Sequence, residues 1–204
     1  MMQSKVCGLT SAEQVNTSIL YGANFCGFIL NYKKSHRFID YQTAEHLTKI
    51  NKKNTSYVGV LVEPSIEELK VFSNLNLDYF QIYGNYSAKE IKDIKDNYKK
   101  KIIISLQIKK KQDILKYKIY EKTADIILFD SSGLHQSLSW NYDWIKQVPS
   151  SIKRMLAGNI NIDMLESLKE LTDIVDVSGA LETDKVKDLS KIKNFLNKIK
   201  LIND

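Results

Sequence analysis

Two side chains of this sequence have the chemistry of a proton-transfer pair. The thiol of Cys7 ends a short apolar run, and the carboxyl of Asp130 ends the apolar run 126–129. A thiol and a carboxyl that face each other across a cavity can serve as general base and general acid, provided that burial and neighbouring charges move their pKa values toward neutrality. Two simpler interpretations stay open: Cys7 as a small buried apolar side chain, and Asp130 as a loop or capping residue before Ser131-Ser132-Gly133.

Arg37 and Gln81 are polar residues at positions that suggest a function. The chain has 30 lysine and arginine residues, of which Arg37 and Arg154 are the arginines. A guanidinium binds a carboxylate through two parallel hydrogen bonds, which lysine cannot reproduce. Arg37, in the loop after the second strand, is therefore a candidate carboxylate-binding residue; the alternative is a surface ion pair of little energetic value. Gln81 lies inside an apolar strand and predicts either a core hydrogen bond or a cavity wall.

Glycine turns follow the seventh and eighth predicted strands, in Ala157-Gly158-Asn159 and Ser178-Gly179-Ala180. Such turns let backbone N–H groups converge on an anion, and a helix N-terminus behind them adds a favourable potential. The loops after strands seven and eight are also the usual phosphate site of barrels built from strand-helix units. Gly158, Asn159, Ser178 and Gly179 are therefore candidate phosphate-binding residues.

The elements that must hold these groups alternate along the chain between short apolar runs and helical patterns. The run 25–30 is continuously apolar, which is typical of a parallel strand covered by helices. Eight strand-helix units at a period of roughly 25 residues predict a single-domain (β/α)8 TIM barrel over residues 1–204, compact and with short loops. A doubly wound open sheet is the alternative, but no dinucleotide fingerprint follows any strand. The predicted strands are 4–7, 25–30, 57–62, 79–83, 102–106, 125–130, 154–157 and 174–178; the predicted helices include 12–21, 42–52, 112–122, one near Tyr142, one carrying Leu165, Leu168 and Leu171, and 189–199.

The composition argues against several classes of protein. A chain of 204 residues with 43% hydrophobic residues suits one folded domain. No apolar stretch approaches the roughly 20 residues that span a bilayer, and the first residues lack a signal-peptide core; we therefore expect no membrane partner and a cytoplasmic location. In that reducing compartment Cys7 and Cys26 are expected to be free thiols. His36, His46 and His135 show no metal-ligand spacing, so no metal is expected.

The net charge of +6 suggests a nucleic-acid partner. The lysines, however, stand mostly beside asparagine and isoleucine, as in 51–54 and 97–101, a pattern typical of solvated faces. Aromatic residues do not alternate with the basic ones, as they would on an RNA-binding face. We expect no nucleic-acid partner, and a basic barrel that binds RNA without catalysis is kept as the alternative from another functional class.

A set of segments in a fixed order carries a resemblance to a known family. The chain contains Lys5-Val6-Cys7-Gly8-Leu9-Thr10, Ser35-His36-Arg37-Phe38-Ile39, Val58-Gly59-Val60, Phe80-Gln81-Ile82-Tyr83-Gly84, Leu128-Phe129-Asp130, Leu156-Ala157-Gly158 and Val175-Asp176-Val177-Ser178-Gly179-Ala180-Leu181-Glu182. Together these segments resemble the phosphoribosylanthranilate isomerase family of tryptophan biosynthesis, almost from end to end.

The resemblance implies a barrel that needs no cofactor. Its substrate would be a small phosphosugar, N-(5-phosphoribosyl)anthranilate, which an Amadori rearrangement converts into 1-(2-carboxyphenylamino)-1-deoxyribulose 5-phosphate. By the resemblance, Cys7 is the general base at sugar C2 and Asp130 the general acid at the ring oxygen. Arg37 would hold the anthranilate carboxylate, and the backbone around Gly158 and Ser178-Gly179 would hold the phosphate. Monomer and homodimer both stay open, and another phosphosugar enzyme such as an epimerase would leave Cys7 and Arg37 unexplained.

The sequence departs from the family pattern in its loops. His36 stands where the family usually has proline, and Tyr83 where it usually has histidine. Asn159 replaces a second glycine, Ser178-Gly179-Ala180 replaces Ser-Ser-Gly, and the loop 133–137 replaces a segment rich in glycine and threonine. Cys7, Arg37 and Asp130 are all present, so these departures concern substrate contacts more than the proton chemistry.

Overall fold

Eight parallel strands form a closed barrel in the computed structural model, which describes residues 1–131 and 139–204. The strands neighbour one another in chain order, and β1 pairs with β8 through partners such as Val6 and Val177. This closure confirms the predicted (β/α)8 barrel over the open sheet. The strands are β1 Gln3–Cys7, β2 Phe25–Ile29, β3 Ser56–Val62, β4 Tyr79–Tyr83, β5 Lys101–Ile108, β6 Ile126–Ser131, β7 Arg154–Leu156 and β8 Ile174–Val177.

Helices connect successive strands on the outside of the barrel. Serine or aspartate side chains cap the N-termini of most of them, as these residue types commonly do: Ser11 accepts a hydrogen bond from the backbone N–H of Gln14, and Ser87 forms a capping box with Glu90. The α-helices are α1 Ala12–Leu20, α2 Tyr41–Thr48, α3 Ile66–Ser73, α4 Ala88–Tyr98, α5 Tyr117–Tyr120, α6 Leu165–Leu168 and α7 Leu189–Asn203. A two-stranded ribbon, β9 Glu182–Thr183 with β10 Val186–Lys187, follows β8.

Three predicted helices differ from the observed ones. The segment predicted as a helix over 112–122 is a 3-10 helix, Lys111–Lys116, followed by the single turn α5. A 3-10 helix, Tyr142–Gln147, follows β6, and another, Ile162–Met164, precedes α6. The buried residues Ile114, Tyr117 and Tyr120 recur at every third position. This spacing matches the 3-10 helix, with about three residues per turn, better than the α-helix.

The predicted helix 42–52 is also too long at its end. The observed helix α2 stops at Thr48, and the chain takes a left-handed conformation at Lys53, with φ of 49°. The polar segment 51–54 has no apolar residue to pack against the sheet, so packing does not support a helix as far as residue 52.

The barrel interior changes from apolar to polar along the strand direction. Alternate residues of each strand face inward. An apolar cluster fills the lower interior, the half of the barrel nearer the amino ends of the strands: Phe25, Val58, Tyr79, Ile103, Ile126, Leu128, Met155, Ala157 and Ile174. The next inward positions of β4, β6 and β8 are polar: Gln81, Asp130 and Asp176. The strand pattern therefore concentrates polar groups at the carboxyl end of the barrel.

Candidate active site

A cavity of about 190 Å³ opens at the carboxyl end of the barrel. Its walls come from strand ends and from the loops after β2, β7 and β8. All of the residues singled out from the sequence line it: Cys7, Arg37, Gln81, Asp130, Gly158, Asn159, Ser178 and Gly179. The structure therefore brings these side chains and turns together, from segments that lie far apart in the chain.

Cys7 lies at the end of β1 beside a buried ion pair. Lys5, two residues earlier, is fully buried, and its Nζ donates to Oδ2 of Asp176 on β8 at 2.8 Å. Burial raises the pKa of the Cys7 thiol, the neighbouring Lys5 ammonium opposes that rise, and the Asp176 carboxylate adds to it. The thiol therefore has a cation beside it that favours the thiolate, in a site where burial favours the neutral form.

Gly27 of β2 allows this crowding around the thiol. A Cβ built on Gly27 would lie 2.9 Å from the Cys7 Sγ and 3.2 Å from the Lys5 Nζ. Both atoms therefore occupy the space that any other residue would fill. The close approach of the Cys7 thiol and the Lys5 ammonium depends on a glycine in the adjacent strand.

Asp130 lies on β6, one residue before the strand ends. Its Oδ2 accepts a hydrogen bond from the Tyr83 hydroxyl at 2.7 Å, and its Oδ1 accepts one from the backbone N–H of Ser131 at 2.7 Å. Burial raises the pKa of Asp130 to about 6, although the hydrogen bond from Tyr83 acts in the opposite direction. A carboxyl with this pKa exchanges a proton readily near neutral pH.

Gln81 combines the two alternatives that its sequence position left open. Its Nε2 donates to the Tyr83 hydroxyl at 3.2 Å, and its side chain also lines the cavity. Gln81 and Tyr83 are two residues apart on β4, so both face the barrel interior.

Arg37 is held by an acidic residue that the sequence analysis did not single out. Its Nε and Nη2 both donate to the Glu182 carboxylate, the latter at 2.9 Å. The buried Lys187 ammonium also donates to Glu182. Burial raises the pKa of Glu182, but the hydrogen bonds from Arg37 and Lys187 outweigh it and bring the value down to about 2. This pairing leaves the Nη1 edge of Arg37, at the cavity wall, without a partner among the described residues.

The turn after β7 presents backbone N–H groups to the cavity. Gly158 and Asn159 have φ of 106° and 51°, a left-handed pair that turns the chain sharply. Among the residues that the structure describes, neither backbone N–H has a hydrogen-bond acceptor. After β8, the Ser178 Oγ donates to the Cys7 carbonyl at 2.9 Å, so this serine side chain fastens the loop to β1.

The helices that begin directly behind these two turns are much shorter than predicted. The 3-10 helix Ile162–Met164 follows Gly158 and Asn159, and the 3-10 helix Gly179–Leu181 follows Ser178. Single turns carry little of the helix dipole. Any anion bound here depends on individual N–H groups rather than on a long helix.

Several polar partners of the site were missed by the sequence analysis: Lys5, Tyr83 as a partner of Asp130, Asp176, Glu182 and Lys187. Lys5 and Asp176 could have been found, because each is a charged residue inside an otherwise apolar strand. The predicted loop 133–137 and His135 lie outside the described residues. Within 1–131 and 139–204, no group of three histidine, cysteine or acidic side chains is placed to hold a metal ion, and no helix is both long and apolar enough to span a membrane.

Comparison with known proteins identifies the family. The family model described as N-(5'-phosphoribosyl)anthranilate isomerase matches residues 4–198. The isomerase of that name from Streptococcus mutans is 31% identical and covers 98% of this chain and 100% of its own length; that from Thermoanaerobacter pseudethanolicus is 30% identical, with 98% of each chain covered. The crystal structure of phosphoribosyl anthranilate isomerase from Thermotoga maritima superposes with a TM-score of 0.88 at 25% identity, over 98% of this chain and 99% of the other. The chain therefore belongs to the N-(5'-phosphoribosyl)anthranilate isomerase family, the isomerases of tryptophan biosynthesis.

Proposed function

We propose that this protein catalyses the Amadori rearrangement of N-(5'-phosphoribosyl)anthranilate, with Cys7 as general base and Asp130 as general acid. The observation that carries the assignment is that the thiol of Cys7 and the carboxyl of Asp130 line the same cavity from β1 and β6. A solved isomerase of the same family has been crystallised with reduced 1-(o-carboxyphenylamino)-1-deoxyribulose 5-phosphate, an analogue of the expected product.

The proposed reaction moves protons at two positions of the sugar. Asp130 gives its proton to the ring oxygen while the bond from C1 to that oxygen breaks, so the ring oxygen becomes a hydroxyl and the anthranilate nitrogen forms an iminium ion with C1. The Cys7 thiolate then removes the proton from C2, and the electron pair of that C–H bond neutralises the iminium ion to give an enolamine. The enolamine then tautomerises to the ketone: C1 takes up a proton and the C2 hydroxyl loses one, so the net number of protons is unchanged. No cofactor is required for these steps.

The ionisation states of Cys7 and Asp130 that this chemistry needs differ from those that prevail in the free enzyme at neutral pH. Burial holds the pKa of Cys7 above its ordinary value of 9.0, and the pKa of Asp130 is about 6. At neutral pH the free enzyme therefore mostly carries a thiol and a carboxylate, and transfer of one proton between them gives the reactive thiolate and carboxyl. The Lys5 ammonium favours this reactive form because it stabilises the thiolate.

The two anionic ends of the substrate have matching groups on the cavity wall. The Nη1 edge of Arg37, already oriented by Glu182, suits the anthranilate carboxylate. The backbone N–H groups of Gly158 and Asn159, with Gly179 after the neighbouring strand β8, suit the phosphate. Gln81, which also lines the cavity, offers a neutral polar contact. The residues named here all come from one chain, and the relative from Thermotoga maritima is described as dimeric.

Turnover of synthetic phosphoribosylanthranilate by the purified protein tests the proposal. We expect Cys7→Ala and Asp130→Asn each to lower kcat by about 10²-fold or more, because a positioned acid or base contributes that much. Arg37→Ala should instead act mainly on KM. Cys26→Ala is the matched thiol control, because Cys26 is buried in β2 and does not line the cavity.

The assignment fails if the wild-type protein does not turn over the substrate, or if Cys7→Ala or Asp130→Asn retains full kcat. Circular dichroism of each variant must show an intact fold before its kcat is compared.

A further inference from the structure

A chain of hydrogen bonds leads from Gln81 through Tyr83 to the carboxyl of Asp130. Gln81 Nε2 donates to the Tyr83 hydroxyl at 3.2 Å, and that hydroxyl donates its single proton to Asp130 Oδ2 at 2.7 Å. The other Asp130 oxygen accepts from the Ser131 backbone N–H. In this arrangement both Asp130 oxygens act as acceptors, so the chain suits the ionised carboxylate.

The phenol of Tyr83 acts in this chain as a neutral partner. Burial, and then the neighbouring Asp130 carboxylate, raise the pKa of Tyr83 well above its ordinary value of 10.0. Tyr83 therefore keeps its proton throughout the physiological range and does not replace Asp130 as the acid. Its hydroxyl can still donate one hydrogen bond and accept another.

Gln81 carries an unused acceptor at the start of the chain. Its Oε1 is buried and has no hydrogen-bond partner among the described residues. A half-turn of the amide exchanges Nε2 with Oε1 and places the acceptor next to the Tyr83 hydroxyl. The reversed chain then runs from a protonated Asp130 to the phenol oxygen, and from the phenol proton to Gln81 Oε1. An unpaired buried acceptor is costly, and the reversed chain gives this one a partner.

We infer that Tyr83, supported by Gln81, is a positioning residue for Asp130 whose hydroxyl donates to the ionised carboxylate and accepts from the protonated carboxyl. The inference rests on the proposed function, because it takes Asp130 as the general acid. Each state of Asp130 in the reaction cycle then has a complete hydrogen-bond chain. In particular, Tyr83 stabilises the carboxylate that remains after the proton has moved to the ring oxygen.

Other charged groups also act on Asp130 and are left in place by the test. Asp176 on β8 raises the pKa of Asp130, and Lys5 on β1 lowers it. The hydroxyl of Tyr142, in the 3-10 helix after β6, donates to the Gly158 carbonyl. Within the part of the chain that the structure describes, Tyr83 is the side chain at hydrogen-bond distance from Oδ2, so removing its hydroxyl isolates one contribution.

The experiment compares Tyr83→Phe with Tyr79→Phe. Tyr79 is the matched control because it is another inward tyrosine of β4, in the apolar lower half of the barrel. The Asp130 carboxyl of each free protein is titrated by NMR with ¹³C-labelled aspartate, and its signal is assigned by its loss in Asp130→Asn. Loss of a hydrogen bond to a carboxylate disfavours the ionised form, so Tyr83→Phe should raise the pKa of Asp130 by about one to two pH units.

Kinetics provide the second measurement. The acid limb of kcat/KM should move to higher pH in Tyr83→Phe, in the same direction as the carboxyl titration. Ionisation of the substrate phosphate affects all variants equally and cancels from the comparison. Gln81→Met should give a smaller shift in the same direction, because the phenol is a weaker donor without the Gln81 amide, and Tyr79→Phe should give none.

An Asp130 titration in Tyr83→Phe that matches the wild type, in a folded and active protein, would overturn the inference while leaving the proposed function intact. Failure of the proposed function has a different signature, since full kcat in Asp130→Asn would remove Asp130 as the acid whatever its titration shows.

Discussion

At the residue scale, the site depends on charged groups that the fold buries next to one another. Lys5 and Asp176 form an ion pair with side-chain exposures of 0% and 6%. Removing one member of such a pair leaves an uncompensated buried charge, which costs several kcal/mol. The pair lies beside the Cys7 thiol, where its cation favours the thiolate. Among residues 1–131 and 139–204, Asp130 has no cation at hydrogen-bond distance, and the donors to its carboxylate there are the neutral groups of Tyr83 and Ser131.

Asp130 should therefore lower the stability of the protein at neutral pH. Its pKa rises from 3.8 to about 6 on folding, so the folded state binds the proton more tightly than the unfolded state. The associated stability is fully present below pH 3.8 and is lost as the pH rises through about 6. We expect Asp130→Asn to be more stable than the wild type by about 1–3 kcal/mol at pH 7.5, with a smaller gain at pH 4.

Urea unfolding of both proteins at the two pH values measures this difference. A gain that is equal at pH 4 and pH 7.5 would show that ionisation of Asp130 is not its cause. Asp143→Asn is the control, because this carboxyl is exposed at the surface.

At the element scale, the position of the thiol depends on β2 as much as on β1. Gly27 pairs with Cys7 in the strand register and leaves room for its sulfur. Gly8, directly after β1, has φ of 77° and packs against the Arg37 side chain. The strand that ends in this thiol thus becomes part of a site because Gly27 in the neighbouring strand leaves room for Lys5, and Gly8 directly after β1 leaves room for Arg37.

Gly27→Ala should displace the thiol and reduce activity. The added Cβ would lie 2.9 Å from the Cys7 Sγ, so the sulfur or the strand must move. We expect kcat to fall by about tenfold, because small displacements of a reacting group are costly, and stability to fall by about 1–3 kcal/mol through overpacking.

The control for this variant is Gly59→Ala in β3. There the added Cβ would meet Leu77 and Leu30 at 2.8 and 2.9 Å, which is comparable crowding away from the thiol. It should lose similar stability with little change in kcat. Equal losses of kcat in both variants would mean that general destabilisation, rather than the Cys7 position, limits activity.

At the scale of the whole molecule, the net charge of +6 acts on a substrate with a carboxylate and a phosphate. Exposed lysines at 109–111 follow β5 and so lie on the same end of the barrel as the cavity. Positive charge around a cavity raises the rate at which anions reach it. We therefore predict that these lysines steer the anionic substrate toward the cavity.

Salt should therefore lower kcat/KM, because exposed charges are screened over about 10 Å at 0.1 M ionic strength. We expect the double variant Lys109→Gln, Lys111→Gln to have a smaller salt dependence than the wild type. The control is Lys99→Gln, Lys153→Gln, which removes two exposed lysines placed just before β5 and β7, at the opposite end of the barrel.

The measurement is kcat/KM between about 20 and 300 mM sodium chloride, a range over which the screening length falls severalfold. A salt dependence that is absent in the wild type, or equal in both double variants, would rule out steering by these lysines.

The sequence by itself determined the order of the strands along the chain and the positions of Cys7, Arg37, Asp130 and the glycine turns. Each of these is encoded locally, through apolar periodicity or through a residue type at or near a strand end. The helix predicted over 112–122 was wrong in type, because buried residues recur there at every third position. Apolar spacing alone does not separate a 3-10 helix from a short α-helix.

Tertiary structure alone decided which groups meet. Lys5 and Asp176 are 171 residues apart in the chain, Arg37 and Glu182 are 145 apart, and Tyr83 and Asp130 are 47 apart. Such contacts depend on the closure of the barrel and on the register of neighbouring strands, which place side chains of different strands at the same height in the barrel. A local pattern carries no information about register between distant strands. The partners of Arg37 and the ion pair beside Cys7 therefore form only when β1 and β8 join, and the contact between Tyr83 and Asp130 forms only when β4, β5 and β6 pair in register.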